Sequence, residues 1–206
     1  EKRFGVYAEF PDIPYWDDDL FQAVMVAEVL IKYRKISPEA LSKKFLEWFN
    51  TSPHGIGRTT SIALSYMTAG LPWEEASLKA HEEMKGKSAG NGALMRSFPI
   101  GLAFDDFDTI LEQNLLQAKI THWDELAAQA SAVYCYFLNR LTKTSKEKAW
   151  EETLEKSKLF PRIHKRLCNA LERSLEKLPT SAFCLDTLVV SIMCFLKNDD
   201  PKDTVI

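Results

Sequence analysis

The sequence lacks most of the features that would assign it to a special class of protein. No run of residues approaches the roughly 18 uncharged positions of a membrane-spanning helix, and no secretory signal peptide is visible. Lysine and arginine form no basic face and the formal net charge is −3, so neither nucleic acid nor a membrane surface is an expected partner. Alternation of apolar and polar residues, the pattern of half-buried strands, is absent as well.

The chain has only four cysteines, and they form no CxxC pair: Cys135, Cys168, Cys184 and Cys194. Each lies inside an apolar helical pattern, far from the others. Such spacing is typical of reduced core residues in an intracellular protein rather than of a disulfide framework or a zinc site. We therefore expect a cytoplasmic protein.

Helical periodicity is present nearly throughout the 206 residues, of which 46% are hydrophobic and 27% charged. The periodicity predicts an all-α protein, and the ordinary globular composition is consistent with one compact multi-helix bundle over residues 1–206. We also expect the protein to be a monomer. Residues 87–98 interrupt the pattern with a flexible, glycine-containing segment. The predicted helices cover about 18–35, 38–49, 59–69, 73–86, 106–118, 122–141, 145–158, 162–178 and 182–196.

Three adjacent carboxylates, Asp17, Asp18 and Asp19, precede the apolar stretch of the first of these helices. Aspartate is a good N-cap, and anions near a helix start meet the positive end of its dipole. The triplet is thus explained either as an acidic helix start or as a site for a hard metal ion, because carboxylate oxygens suit Mg²⁺, Mn²⁺ or Ca²⁺.

Two glycine-containing segments allow the backbone to approach a ligand closely. Gly90-Asn91-Gly92 is the longer candidate, and Gly55-Ile56-Gly57 precedes a helix that begins with threonine. Exposed N–H groups in such segments, together with helix N-termini, can bind phosphate groups. Arg96 follows the first segment and is interpreted either as part of a structural ion pair or as a phosphate contact.

Four segments in order resemble motifs of the ADP-ribosylglycohydrolase family. The third is the most specific, being similar to the family pattern G-N-G-x-x-M-R-x-x-P-I-G. The segments are Trp16 to Asp19 with the helix that follows, Gly55 to Thr60, Ser88 to Gly101, and Ile120 to His122 together with Thr180 to Leu188. Residues 5–10 also resemble the end of the family's first helix.

The resemblance implies an all-α fold around two divalent ions, Mg²⁺ or Mn²⁺, and a hydrolase that cleaves the glycosidic bond between ADP-ribose and an acceptor. The acceptor is a protein side chain or a small molecule. The metal ligands implied are Asp17, Asp18 and Asp19, of which Asp18 and Asp19 are also the catalytic candidates. The substrate-binding residues implied are Ser88, Gly90, Asn91, Gly92, His122, Phe183 and Gly57. A lone histidine at the start of a helix such as His122 is otherwise commonly structural.

Several positions depart from the family pattern. Asp17 and Leu20 stand where the family has threonine, Phe183 where it often has tyrosine, and Gly55 where some members carry aspartate. The alternative is therefore a catalytically inactive relative that binds ADP-ribose or a nucleotide, or has a structural role. A third interpretation is a different metal-dependent hydrolase of a ribosyl compound.

The ends of the sequence suggest a chain that continues. Asp200-Pro201-Lys202-Asp203 is typical of a helix start. We expect that the family's first helix and its C-terminal metal-binding helix lie outside these 206 residues.

Overall fold

The computed structural model describes residues 17–53 and 55–200, and this part of the chain is helical, as predicted. Residues 5–10, Trp16 and residues 201–206, which figure in the sequence resemblance and the expected helix start, lie outside the described residues. The helices are α1 (Asp18–Tyr33), α2 (Pro38–Phe49), α3 (Arg58–Thr68), α4 (Trp73–Glu83), α5 (Gly92–Met95), α6 (Phe98–Ala103), α7 (Phe107–Lys119), α8 (Glu125–Leu141), α9 (Lys146–Ser157), α10 (Pro161–Leu171), a 3₁₀ turn (Leu175–Lys177) and α11 (Cys184–Lys197).

Helix α8 lies between two hydrophobic cores. One of its faces, with Val133 and Phe137, packs into a core shared with α9, α10 and α11. Another face, with Ala132 and Cys135, packs into a core built mainly from α1, α2, α3 and α7. Because α8 is apolar on several faces, it can be surrounded by other helices, as expected for a central helix of a bundle.

Polar N-caps set the start of several helices. The side chains of Asp17, Ser37, Asp106, Asp124 and Ser145 each accept a hydrogen bond from a backbone N–H in the first turn of the helix that follows. These residues satisfy donors that would otherwise lack a partner at the helix start.

Two of the predicted elements differ near the glycine-containing segment. The sequence predicts a flexible, glycine-containing segment over residues 87–98, but these residues include α5 and the first residue of α6. The predicted helix over 122–141 begins instead at Glu125, because Asp124 is the N-cap and accepts from the N–H of Leu126 at 3.0 Å. His122 therefore precedes the helix rather than lying in it.

The predicted helix over 162–178 is also shorter in the structure. It ends at Leu171, and the chain continues through the 3₁₀ turn to Leu178, which is 6% exposed in the core. Leu178 has extended backbone angles (φ −74°, ψ 137°). The following Pro179 disfavours a helical conformation at Leu178, so the helix has to end before it.

Within the part of the chain that the structure describes, no helix is long and apolar enough to cross a bilayer.

Candidate functional site

A cleft of about 810 Å³ opens where several helices begin. The first residues of α1, α3 and α5 line it, as do residues at the starts of α8, α10 and α11. Each helix start carries partial positive charge and N–H groups without partners inside the helix. The fold therefore directs several such ends toward one space.

Carboxylates of α1 form one end of this cleft. Asp18 and Asp19 both line it, and burial together with the neighbouring charges of Asp19 and Asp17 raises the pKa of Asp18 to about 6. Asp19 keeps more than a third of its surface exposed, yet partial desolvation and the charge of Asp17 still raise its pKa. Ionised, these two acids repel each other, and a bound cation would relieve that repulsion.

Asp17 has a different position from its two neighbours. It is the N-cap of α1, and its Oδ1 accepts from the N–H of Leu20 at 3.1 Å. Unlike Asp18 and Asp19, it is not among the residues that line the cleft. The structure thus separates a capping acid from two acids that face the open space.

Gly55 comes close to the acidic end of the cleft. Its φ of 81° lies in the left-handed region that favours glycine, and a β-carbon built there would lie 3.3 Å from Oδ1 of Asp18. The absence of a side chain at this position leaves Asp18 open toward the cleft.

Another part of the cleft wall is formed by backbone. Gly90, Asn91 and Gly92 line the cleft, and Gly90 forms an isolated antiparallel bridge with Phe183. The N–H of Asn91 donates to the carbonyl of Ala182 at 2.8 Å. This bridge joins the glycine segment to the start of α11 and brings Phe183 to the cleft.

His122 lies directly behind this glycine wall. It is 2% exposed, and burial, with the nearby charge of Arg96, lowers its pKa to about 3. A β-carbon at Gly90 would lie 3.3 Å from its Nε2, and one at Gly92 would lie 3.1 Å from the same atom. Only glycines at these two positions leave the imidazole edge uncovered toward the cleft.

Arg96 corrects both interpretations offered for it from sequence. It is fully buried and does not line the cleft. Within residues 17–53 and 55–200 it forms no ion pair: its guanidinium donates to Gln22, Gln117 and Thr121 and stacks over Phe45, with 4.5 Å between the guanidinium carbon and the ring centroid. Burial lowers its pKa to about 9, and the hydrogen bonds that the cation donates all go to neutral oxygens.

Ser88 has a different position from the other residues implied for the substrate. This residue is fully buried and not part of the cleft surface. Its hydroxyl lies 2.6 Å from Nδ1 of His81 and accepts from the N–H of Asp124 at 3.2 Å. Ser88 thus ties the end of α4 to the start of α8, and it supports the cleft without facing it. The other residues implied for the substrate, Gly57, Gly90, Asn91, Gly92, His122 and Phe183, all line the cleft.

Several cleft residues were not among the sequence candidates. Arg58, Lys87 and Arg162 place cationic side chains at the rim, and the guanidinium of Arg162 lies 5.5 Å from the ring centroid of Phe183. Thr59 and Thr60 are buried, and their hydroxyls approach Gly90 and Gly92. Thr59 and Thr60 follow the Gly55 to Gly57 segment in sequence, and this proximity to a candidate ligand-binding segment could have identified them. The three cations have no local pattern that distinguishes them from other surface charges.

The acids of the cleft fit part of the coordination shell of a divalent ion. The described residues contain no group of three or more His, Cys, Asp or Glu side chains placed to hold a metal. However, Mg²⁺ commonly binds through one or two carboxylates and keeps several waters. Asp18 and Asp19 supply that number of oxygen-donor side chains, and their raised pKa values are those of acids that a cation would stabilise.

The fold and the cleft thus define an all-α protein with a candidate ligand site, in which carboxylates and glycine backbone line the same space. The sequence model of the ADP-ribosylglycohydrolase family matches residues 3–206, and the chain belongs to this family of hydrolases. An uncharacterized protein of Archaeoglobus fulgidus is 26% identical over 98% of this chain and 70% of its own length. The ADP-ribosylhydrolase ARH3 of Xenopus tropicalis is 27% identical over 91% of this chain, which spans 53% of that relative.

Proposed function

We propose that this protein is a divalent-metal-dependent hydrolase that cleaves the glycosidic bond between ADP-ribose and an acceptor. The observation that carries the proposal is the pairing, in one cleft, of two carboxylates with raised pKa values and a wall of glycine backbone. The family assignment supports the same reaction class. The name of the Xenopus relative agrees with it.

The glycine wall and the helix starts suit the anionic part of such a substrate. Gly57 is the N-cap of α3 and has no side chain with which to cap that helix, so the N–H groups of its first turn are left for a ligand. Arg58, Lys87 and Arg162 add positive charge at the rim. A diphosphate would therefore be attracted to this part of the cleft by both dipoles and charges.

The acidic end suits the ribosyl group. A glycosidic bond to ribose breaks through a transition state with oxocarbenium character, which nearby carboxylates stabilise. Asp18 and Asp19 would hold one or two Mg²⁺ or Mn²⁺ ions, with Asp17 close by as the helix cap. When bound, a divalent ion supplies charge and Lewis acidity at this end of the cleft. Gly55 keeps Asp18 uncovered for such contacts.

The aromatic ring of Phe183 suits the base of the nucleotide. It lines the cleft next to Arg162 and could stack on an adenine ring. The proposed substrates are an ADP-ribosylated protein or a small molecule that contains ADP-ribose. We further propose a monomer that acts in the cytoplasm, with neither nucleic acid nor a membrane as partner.

Calorimetry on the full-length protein tests the proposal. Mg²⁺ and Mn²⁺ are titrated with and without ADP-ribose, and hydrolysis of ADP-ribosylated arginine and serine peptides is then assayed. Metal binding at micromolar concentration, coupled to ADP-ribose binding and followed by release of ADP-ribose, is the expected result. If neither the divalent ions nor ADP-ribose bind, the proposal is contradicted.

A second candidate is a catalytically inactive relative that binds ADP-ribose. Phe183 lacks the hydroxyl of tyrosine, and the described residues contain no group of three or more His, Cys, Asp or Glu side chains placed to hold a metal. Binding of ADP-ribose without hydrolysis of any peptide would favour this candidate. A third, hydrolysis of another ribosyl compound, would be revealed by metal binding with no affinity for ADP-ribose.

A further inference from the structure

A chain of hydrogen bonds connects the buried Arg96 to the edge of His122 that faces the cleft. Arg96 Nη2 donates to Oγ1 of Thr121 at 3.0 Å, and this Oγ1 lies 2.9 Å from Nδ1 of His122. All three side chains are at least nine-tenths buried. Hydrogen bonds in such an environment are not exchanged readily for bonds to water, so the direction of each bond matters.

The direction of the first bond follows from chemistry alone. A guanidinium has only donors, so Thr121 must be the acceptor from Arg96. The hydroxyl proton of Thr121 then remains to be donated, and Nδ1 of His122 is the acceptor within reach. If Nδ1 carried the proton instead, the hydroxyl would accept twice, and its own buried proton would lack a partner.

The orientation of Arg96 is itself tightly defined. Its Nε donates to Oε1 of Gln117 at 2.8 Å and its Nη1 donates to Oε1 of Gln22 at 2.8 Å. The amide of Gln117 cannot be reversed without loss, because its Nε2 donates to the carbonyl of Ala93 at 2.8 Å. The position of His122 is set separately, by its backbone N–H donating to the carbonyl of Ala118 at 2.7 Å.

We infer that Arg96 and Thr121 are positioning residues that hold His122 in its neutral Nε2–H tautomer, so that it donates a hydrogen bond to a phosphate oxygen of the ligand. This inference rests on the proposed function for the identity of the ligand. Among the described residues Nε2 has no hydrogen-bond partner, and the missing side chains of Gly90 and Gly92 leave it open to the cleft. An ionised phosphate oxygen accepts hydrogen bonds but does not donate them. It is therefore a suitable partner for Nε2 of His122, which carries a proton in this tautomer before any ligand binds.

The low pKa of His122 is consistent with this arrangement. Burial, with the charge of Arg96, lowers it to about 3, so the imidazole stays neutral at physiological pH. A neutral ring has one donor and one acceptor nitrogen, and the hydrogen bond at one nitrogen determines the state of the other. The fixed cation of Arg96 polarises the Thr121 hydroxyl in the direction that this tautomer needs.

Long-range ¹H–¹⁵N spectra of the full chain, labelled at its four histidines, test the tautomer directly. The signals of His122 are assigned by their loss in His122→Gln. The expected result in the unliganded wild-type protein is a protonated Nε2 and an unprotonated Nδ1 from pH 5 to 8. A protonated Nδ1, or an averaged mixture of tautomers, would overturn the inference without any variant or ligand.

Variants of Thr121 test the role of the hydrogen-bond chain from Arg96 through Thr121 to His122. Thr121→Val removes the hydroxyl at nearly constant volume and should give a mixture of tautomers and about tenfold weaker binding of ADP-ribose. Thr121→Ser keeps the hydroxyl and should show the single Nε2–H tautomer of His122 and the wild-type affinity for ADP-ribose. A wild-type spectrum and wild-type affinity in Thr121→Val would contradict the inference.

Two probes separate this inference from the proposed function. Inorganic pyrophosphate and adenosine are each added to the wild-type protein, and a shift of the Nε2 signal is expected with pyrophosphate only. A shift with adenosine only would overturn the assignment of the acceptor to phosphate. The protein could fail to bind ADP-ribose while pyrophosphate still shifts the Nε2 signal. In that case the proposed function fails, but the inference about the hydrogen-bond chain from Arg96 through Thr121 to His122 holds.

Discussion

Gly92 lies against the imidazole of His122, and a β-carbon at Gly92 would lie 2.8 Å from Cε1 of that ring. The ring cannot move away easily, because it is buried and bonded through Thr121 to Arg96. This contact explains why the glycine segment can form one wall of the cleft while a histidine stands directly behind it.

Gly92→Ala should therefore destabilise the protein, since the added methyl group displaces a ring with no space behind it. We expect a loss of about 1–3 kcal/mol in the free energy of unfolding, measured by urea denaturation. Gly57→Ala is the matched control, because no atom lies within 4 Å of a β-carbon there. Equal urea midpoints for Gly92→Ala and the wild-type protein would contradict the prediction, because they would show that the His122 ring moves aside at little cost.

The raised pKa of Asp18 should make stability depend on pH. The folded protein holds this proton with a pKa of about 6, against 3.8 for an unperturbed aspartate. The free energy of unfolding, measured without divalent ions, should therefore fall as pH rises from about 4 to about 6. This is the opposite of the behaviour of a carboxylate held in an ion pair.

Asp18→Asn removes this effect and should stabilise the metal-free protein at pH 7.5. We expect an increase of about 1 kcal/mol in the free energy of unfolding. This is less than the full pKa shift would give, because the carboxyl group is partly exposed to solvent. Asp108→Asn, which removes an exposed acid from the first turn of α7, is the matched control for the loss of a negative charge at a helix start. A wild-type profile in Asp18→Asn would place the titrating group elsewhere.

Divalent-ion binding should depend on Asp18 and Asp19 and much less on Asp17. Asp18→Ala and Asp19→Ala should abolish Mg²⁺ and Mn²⁺ binding in calorimetry and should leave the helical circular dichroism spectrum unchanged. Asp17→Asn should retain binding, because asparagine caps a helix as well as aspartate does and Asp17 does not line the cleft. Metal binding that persists in both alanine variants would refute the assignment of the ligands.

The affinity for the divalent ion should also fall as the pH is lowered. Asp18 binds a cation only when ionised, and its pKa in the metal-free protein is about 6. The apparent affinity should thus decrease steeply below that pH, with protons released on binding. Titrations at pH 5, 6 and 7.5 measure this directly. An affinity that is constant across this range would contradict the role of Asp18.

The close approach of α6 and α8 depends on Gly101. A β-carbon there would lie 2.9 Å from Cα of Cys135 and still closer to its carbonyl oxygen. Because backbone cannot adjust as a flexible side chain does, Gly101→Ala should lower the free energy of unfolding by about 1–3 kcal/mol. Leu102→Ala is the control on the same helix, since Leu102 is 62% exposed and should change stability by less than about 0.5 kcal/mol. Similar melting temperatures for the two variants would contradict this packing.

Much of the helical structure could be predicted because it depends on local pattern. The caps Asp17, Ser37 and Asp106 lie where their residue types and the apolar periodicity indicate a helix start. The end of α10 was misplaced, because the sequence over 172–177 has no strong helix-breaking residue before Pro179. The predicted start of α8 is too early because threonine and aspartate are both common helix caps. In the structure Asp124 caps the helix, whereas the hydroxyl of Thr121 bonds to Arg96 and His122.

The sequence predicts the residue types of a candidate site but not which of its residues cap a helix, support the cleft or line it. Three adjacent aspartates indicate an acidic helix start or a metal site, and the sequence does not distinguish the three acids. The fold does, because the first caps α1 and the next two face the cleft. In the same way Ser88 matched the family motif, yet it is buried beneath the cleft between His81 and Asp124.

The sequence by itself determined the all-helical class and the family, since periodicity, caps and short motifs are local properties of a chain. The tertiary structure alone decided that Arg96 is a buried cation without a carboxylate partner in the described residues, and that it reaches His122 through Thr121. Arg96 reaches Thr121 and His122 only when the end of α5 packs beside the end of α7. Such a contact depends on how helices distant in sequence pack together, which local patterns do not encode.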